Sequence, residues 1–210
     1  SFHRANMYQL MAKAVQYPTI ELAESLLNGK LLAEVSEVVE WVNKRDGMYR
    51  EALEKLEAVA KNQAGEDAQG LLQKMEVEYT RLFLQPGQAV VSPYERDYSE
   101  KEKETILASI EKAYNQINPA IFSNHPASPD HITSELKYLS YLGQQEGEAW
   151  LANNMEDAKK WKITERTFIV HHLRQWGISF FVNMERAAKL EAYNAIASAG
   201  KVFMTLEHGN

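Results

Sequence analysis

Apolar residues recur at helical spacing along nearly the whole chain, and this pattern constrains the fold more than any other feature. In the segment 31–42, apolar positions repeat every three or four residues along one face, and the glutamates lie outside it. Later segments repeat this spacing, and no alternating run is long enough to predict a strand. The sequence therefore predicts an all-α fold of about nine helices.

No repeat of fixed period and no low-complexity linker divides the 210 residues. A single globular domain spanning 1–210 is therefore predicted. The longest interruption of the helical pattern is the segment 85–98, which contains Pro86, Gly87 and Pro93. Long connections often carry function, so this segment is the candidate hinge between an N-terminal and a C-terminal half.

Capping residues predict three helix starts. Ser99 and Glu102 have the spacing of a capping box. Ser128 precedes a proline and is expected to cap a helix that has that proline at its first position. Thr164 is expected to cap a longer helix that continues through Phe181.

Charge and missing residue types exclude several classes of protein. The chain has 29 acidic and 23 basic residues, a net charge of −6, which argues against nucleic acid or an anionic membrane as partner. There is no cysteine, and there is no phosphate-binding loop, zinc motif or nucleophile elbow. No catalytic residue, metal site or cofactor is therefore predicted. Since a membrane span and a signal-peptide pattern are both missing, we expect a cytosolic protein.

The adjacent His171 and His172 resemble a metal-binding or acid–base pair. Neighbouring positions on a helix point about 100° apart, so the two rings cannot converge on one ion. We expect one of them to pack in the core with its ring nitrogens satisfied.

Polar residues lie beside breaks in helical order in three places. Residues 78–83 read EYTRLF and are followed by PYERDY at 93–98; residues 129–136 read PDHITSEL; residues 172–180 read HLRQWGISF. In this order they resemble the E-Y-x-x-L-F, P-[Y/W]-E-x-x-Y, P-D-H-[I/L]-x-x-E-L and H-L-x-x-W-x-x-x-F runs of the TorD/DmsD family of redox-enzyme maturation chaperones. Arg96 departs from the family, whose members often have a small serine there.

The resemblance implies a cytosolic, non-enzymatic, all-α chaperone of molybdenum-containing anaerobic reductases, such as those for trimethylamine N-oxide or dimethyl sulfoxide. Such chaperones bind the twin-arginine signal peptide of the cofactor-free reductase and delay its export until the molybdopterin cofactor is inserted. Some members exchange helices, so a monomer and a domain-swapped dimer both remain open.

A twin-arginine peptide presents two guanidinium groups followed by an apolar segment. Its receptor needs carboxylates for bidentate bonds beside an apolar groove. Together with the resemblance, this chemistry predicts a peptide-binding set of eleven residues. They are Tyr79, Leu82, Phe83, Pro93, Tyr94, Glu95, Asp97, Asp130, His131, Glu135 and Trp176.

An all-α enzyme that binds or hydrolyses a nucleotide is the alternative. Asp130 and His131, which the predicted cap at Ser128 would place in the first helical turn, would then form an acid–base pair. Asn43 to Asp46 spell N-K-x-D and would read guanine. No phosphate cradle or set of metal-holding carboxylates accompanies them, so the chaperone is favoured. An interaction module without a chaperone cycle is a third possibility.

Overall fold

The structure is a computed structural model that describes residues 1–42, 47–62, 65–84, 89–117 and 128–208. Within these residues all regular structure is helical, which confirms the all-α prediction, with ten α-helices rather than about nine. The helices are α1 (Phe2–Ala14), α2 (Ile20–Leu27), α3 (Lys30–Val42), α4 (Gly47–Asn62), α5 (Ala68–Tyr79), α6 (Lys103–Asn115), α7 (Ile132–Leu151), α8 (Met155–His171), α9 (Leu173–Ala187) and α10 (Glu191–His208). A π-helical turn at Thr80–Leu84 extends α5, and a 3₁₀ turn at Glu95–Asp97 precedes α6.

The chain forms two compact units. Unit 1 comprises Ser1–Ala12 and Pro93–Gly177, and unit 2 comprises Lys13–Ser92 and Ile178–Asn210. Helices α1 and α9 contribute residues to both units. The chain passes from unit 2 to unit 1 within the predicted hinge segment 85–98, of which residues 85–88 lie outside the described residues. The hinge and the single domain over 1–210 remain predictions.

In unit 1, helix α1 approaches α7 at two glycines. A Cβ atom on Gly143 would lie 3.1 Å from that of Ala5, and one on Gly147 would lie 2.6 Å from the Phe2 ring. Glycine weakens a helix, because it has more conformational freedom to lose and leaves the backbone exposed. The sequence alone therefore predicts that the helix weakens at Gly143 or Gly147. Instead α7 continues through both to Leu151, because the missing side chains make room for α1.

A buried ion cluster joins three helices of unit 1. Arg4 of α1 donates from Nε to Oε1 of Glu165 on α8 at 3.0 Å, and from Nη2 to Oε2 of Glu146 on α7 at 2.6 Å. Burial raises the pKa of Glu165, although the Arg4 guanidinium acts in the opposite direction. Arg4 therefore compensates two carboxylates that would otherwise be buried without a positive charge.

In unit 2, aromatic side chains of α5, its π-helical extension, α9 and α10 pack together. The Tyr79 and Phe83 rings are 4.9 Å apart, and Phe83 stacks on Phe180 at 6.0 Å. Helices α9 and α10 approach so closely that a Cβ atom on Gly200 would overlap the Phe181 ring. This cluster forms the core around the EYTRLF segment.

The helix starts predicted at Ser99 and at Thr164 are both wrong. Helix α6 begins at Lys103 without a side-chain cap, because the Ser99 hydroxyl instead accepts a bond from the Lys101 amide at 3.2 Å. Thr164 lies inside α8, where its hydroxyl donates to the Lys160 carbonyl at 3.0 Å. Among the described residues, no helix has both the length and the apolar sequence needed to cross a bilayer.

Candidate functional site

The loop before α6 and the turn before α7 are joined by a short antiparallel bridge in unit 1. The Glu95 amide donates to the Asp130 carbonyl at 2.9 Å, and the Ile132 amide donates to the Pro93 carbonyl at 2.9 Å. These bonds fix the PYERDY loop against the PDHITSEL segment. Residues that are more than thirty positions apart in the sequence therefore share one site.

The turn before α7 differs from the predicted helix start. The His131 amide donates to the Ser128 carbonyl at 3.0 Å, which closes a turn ahead of the helix. His131 is the N-cap of α7, and its Nδ1 accepts a bond from the Thr133 amide at 3.1 Å. The prediction that Ser128 caps the helix is wrong, since the imidazole takes that role and leaves Asp130 outside the helix.

Four side chains form what we call the acidic cluster: Glu95, Asp130, Glu135 and His172, all buried. His172 lies between α8 and α9, and its Nδ1 is 2.9 Å from Oε2 of Glu95. Its Nε2 is 3.2 Å from the hydroxyl of Ser109 on α6. Both ring nitrogens therefore have partners, so the prediction of one core histidine with satisfied nitrogens is confirmed.

The neighbouring His171 has a different environment. It is exposed, and its Nδ1 is 2.8 Å from the Thr167 carbonyl of its own helix. The two imidazoles thus face different surroundings, as their spacing predicts. No group of three or more side chains suited to a metal ion occurs in the part of the chain that the structure describes.

Glu135 is the most strongly perturbed member of the acidic cluster. It is fully buried, its Oε2 accepts a bond from the Trp176 indole at 3.3 Å, and its Oε1 has no partner among the described residues. Burial first, and then the charge of Glu95, raise the pKa of Glu135 well above its ordinary value. The site therefore favours a neutral carboxyl group here.

Arg96 contacts the cluster through Asp130. Its Nε lies 3.1 Å from Oδ2 of Asp130, and its guanidinium carbon lies 4.4 Å from the centre of the Tyr94 ring. Nη2 also donates to the Ser128 hydroxyl at 3.3 Å. Asp130 thus has a positive partner, whereas the other members of the cluster do not contact Arg96 in any described bond.

A groove of about 340 Å³ in unit 1 runs beside the cluster, between α6 and α8. His172, a member of the cluster, lines the groove together with its partner Ser109, and Ile163 and Phe168 supply apolar surface. The polar side chains of the cluster therefore lie next to the apolar side chains of the groove, and both belong to unit 1.

The eleven predicted site residues fall in both units. Eight belong to unit 1, and these are Pro93, Tyr94, Glu95, Asp97, Asp130, His131, Glu135 and Trp176. The other three, Tyr79, Leu82 and Phe83, belong to the buried aromatic core of unit 2. Their role in peptide binding remains a prediction for all eleven.

The predicted set omits four residues of this site: Arg96, Ser109, Ser128 and His172. His172 is the first residue of the HLRQWGISF segment, so the family-like motif is a sequence signal that could have identified it. No sequence signal distinguishes Ser109 from other hydroxyls on an amphipathic helix.

The structure gives little support to the nucleotide alternative. His131 uses Nδ1 to cap α7, and Asp130 is bound to Arg96 and to the Ser128 hydroxyl at 2.6 Å. Neither side chain is arranged as an acid–base partner of the other. The N-K-x-D motif at residues 43–46 lies outside the described residues.

Comparison with known proteins identifies the family. Residues 43–182, two thirds of the chain, match the family described as nitrate reductase delta subunit. The chain belongs to this TorD-like family. The resemblance predicted from the three segments is thus confirmed.

Two curated relatives are similar to part of the chain. The chlorate reductase assembly chaperone protein of Ideonella dechloratans is 29% identical over 113 residues, which cover 53% of this chain and 58% of that protein. The selenate reductase assembly chaperone protein of Thauera selenatis is 29% identical over 104 residues, which cover 49% of this chain and 53% of that protein. The chain thus spans little more than half the length of either relative. No solved structure matches it significantly.

Proposed function

We propose that this protein is a cytoplasmic assembly chaperone that binds the twin-arginine signal peptide of a molybdenum-containing reductase before cofactor insertion. Membership of the family and the two relatives, which are named as assembly chaperones and not as reductases, support a binding role rather than catalysis. The chaperone itself needs no cofactor for this role, and its partner is the cofactor-free reductase.

The observation that carries the proposal is the acidic cluster beside the groove in unit 1, which is lined by both polar and apolar side chains. Glu95 and Asp130 lie together beside Glu135, whose burial favours the neutral form, and Ile163 and Phe168 line the adjoining groove together with His172. A peptide with two guanidinium groups and an apolar segment matches this order of groups. The net charge of −6 attracts such a cationic peptide over longer distances.

A titration with three ligands tests the proposal. Purified protein is titrated with a fluorescent twin-arginine peptide, with the same peptide carrying Lys-Lys, and with GTP. Lysine keeps the charge but loses the planar bidentate geometry, so we expect the Lys-Lys peptide to bind about 1–3 kcal/mol more weakly. Equal binding of both peptides contradicts arginine recognition, and binding of GTP alone supports the nucleotide alternative.

Salt separates the two parts of the proposed interaction. Raising the salt concentration from 0.1 M to 1 M shortens the Debye length from about 10 Å to about 3 Å, so the ionic part of the affinity falls while the apolar part persists. We therefore expect affinity for the Arg-Arg peptide to decrease without vanishing. An affinity that does not change with salt contradicts a role for the carboxylates.

A further inference from the structure

Arg96 is bound in the way that proteins bind a guanidinium ligand. We infer that Asp130, Ser128 and Tyr94 form a guanidinium-binding site that Arg96 occupies in the free protein, and that an arginine of the bound peptide displaces it. This inference rests on the proposed function. It adds that the Arg96 side chain acts as a self-ligand, a group of the protein itself that occupies the site and must leave before the peptide is fully bound.

Three kinds of contact hold the Arg96 guanidinium. Its Nε lies 3.1 Å from the Asp130 carboxylate, Nη2 donates to the Ser128 hydroxyl at 3.3 Å, and the Tyr94 ring lies 4.4 Å below the guanidinium carbon. A carboxylate, a second acceptor and an aromatic face are what a planar, weakly hydrated cation prefers. Another arginine side chain presents the same donors and the same plane.

The site is organised by contacts that do not need Arg96. The Ser128 hydroxyl donates to Oδ1 of Asp130 at 2.6 Å, and the Asp130 carbonyl accepts the Glu95 amide in the antiparallel bridge. The bridge also fixes Tyr94, because that residue is paired with His131. The acceptors and the ring therefore remain in place if the guanidinium leaves.

The Arg96 side chain lies on the solvent side of the carboxylate. It is 17% exposed, whereas the Asp130 side chain is 0% exposed. Arg96 belongs to a 3₁₀ turn of three residues, so its side chain can leave without dismantling a long helix. Arg4 differs, since its guanidinium joins α1, α7 and α8 through Glu146 and Glu165.

While the Arg96 side chain occupies the site, a peptide arginine can bind only to the fraction of molecules in which the site is empty. The apparent affinity for the peptide is lowered to that fraction of its intrinsic value. Removing Arg96 therefore vacates the site and increases affinity for the Arg-Arg peptide. It also makes the protein responsive to small guanidinium compounds, which have no effect while Arg96 is bound.

The first experiment tests the site without a peptide. The melting temperature of Arg96→Ala is measured with increasing millimolar N-ethylguanidinium chloride, and with N-ethylammonium chloride as the matched control of equal charge. We expect Arg96→Ala to melt at a higher temperature as N-ethylguanidinium is added, with no rise for wild type or for Arg96→Ala combined with Asp130→Asn. No rise in Arg96→Ala, or an equal rise with N-ethylammonium, overturns the site. If Arg96→Ala does not fold, Arg96→Gln is used in the same way.

The second experiment tests displacement by the peptide. Arg96→Gln and Lys101→Gln each remove one positive charge, and Lys101 is an exposed neighbour outside the site. We expect Arg96→Gln to bind the Arg-Arg peptide about five- to tenfold more tightly than Lys101→Gln does. Equal affinities overturn the displacement by a peptide arginine.

The two experiments distinguish failure of this inference from failure of the proposed function. One outcome is that every variant prefers the Arg-Arg peptide over the Lys-Lys peptide while Arg96→Gln shows no increase in affinity. In that case the proposed function stands, and the inference that Arg96 is a self-ligand is wrong. If no variant binds the peptide, the proposed function is wrong and displacement by a peptide is overturned with it. The N-ethylguanidinium titration then still decides whether the guanidinium site exists.

Discussion

His172 and Glu95 are 77 positions apart in the chain, yet Nδ1 of the imidazole lies 2.9 Å from Oε2 of the carboxylate. This contact joins the PYERDY loop to the HLRQWGISF segment. The PDHITSEL segment contributes Glu135 to the same cluster, and Glu135 accepts a hydrogen bond from the Trp176 indole. Three segments that are separate in sequence thus meet at one buried cluster in unit 1.

Replacing His172 with alanine leaves the buried Glu95 carboxylate without its imidazole partner. We expect His172→Ala to lower the free energy of unfolding by about 1–3 kcal/mol, the cost of an unsatisfied buried polar group. Urea denaturation followed by circular dichroism measures it. His171→Ala is the matched control, and because His171 is exposed its effect is expected to stay within about 0.5 kcal/mol. Equal losses in both variants contradict the assignment of the buried role to His172.

Glu135 gives the protein a specific dependence on pH. Its pKa is raised in the folded state above the ordinary value of 4.5, first by burial and then by the Glu95 charge. Between these two pKa values the folded protein holds more protons than the unfolded chain, so stability falls as pH rises through that window. Glu135→Gln removes this titration and keeps an oxygen for the Trp176 indole.

We therefore expect Glu135→Gln to raise the melting temperature at neutral pH, by about 2–4 °C for each kcal/mol gained. The gain is expected to shrink as pH falls towards 4.5, because the wild-type carboxyl then becomes increasingly neutral in the unfolded state as well. Melting curves from pH 4.5 to 8 measure both effects. A gain that is the same at every pH contradicts the raised pKa as its cause.

Arg4 compensates the buried carboxylates Glu146 and Glu165. Arg4→Met is expected to lower the free energy of unfolding by about 3–5 kcal/mol, because it leaves buried negative charge unpaired. Adding Glu165→Gln to Arg4→Met is expected to recover part of this loss, and a double-mutant cycle measures the coupling. If the double variant is less stable than Arg4→Met alone, the charge explanation is wrong.

Gly200 permits the close approach of α10 to α9. Gly200→Ala places a methyl group against the Phe181 ring, and we expect it to destabilise the protein by about 1–3 kcal/mol. Gly47→Ala is the control, since nothing lies within 4 Å of its added Cβ and it is the first residue of α4, so we expect its effect to stay within about 0.5 kcal/mol. A loss at Gly200 alone in thermal melts confirms the packing explanation, and an equal loss at both positions contradicts it.

The helices were predictable because each depends on local order. The three-and-four spacing of apolar residues fixes which face of a helix is buried. Helix starts were less predictable. Ser128 and Thr164 have good capping side chains, but those hydroxyls bond elsewhere in the structure.

The glycines of α7 show why local propensity was not enough. Gly143 and Gly147 weaken a helix in isolation, and only the packing of α1 against them explains why α7 continues. The contacts of His172 were equally beyond local reasoning. Its ring is bound to Glu95 and to Ser109, two residues that local sequence cannot place beside it.

The sequence by itself determined the all-α class, the absence of cysteine chemistry, and the three segments that indicate the family. Each of these depends on residue type and on spacing within a few turns of chain. Only the tertiary structure decided that Arg96 binds Asp130 and that His172 lies between Glu95 and Ser109. These partners are distant in sequence, and their ionisation and bonding depend on burial, which exists only after the helices have packed.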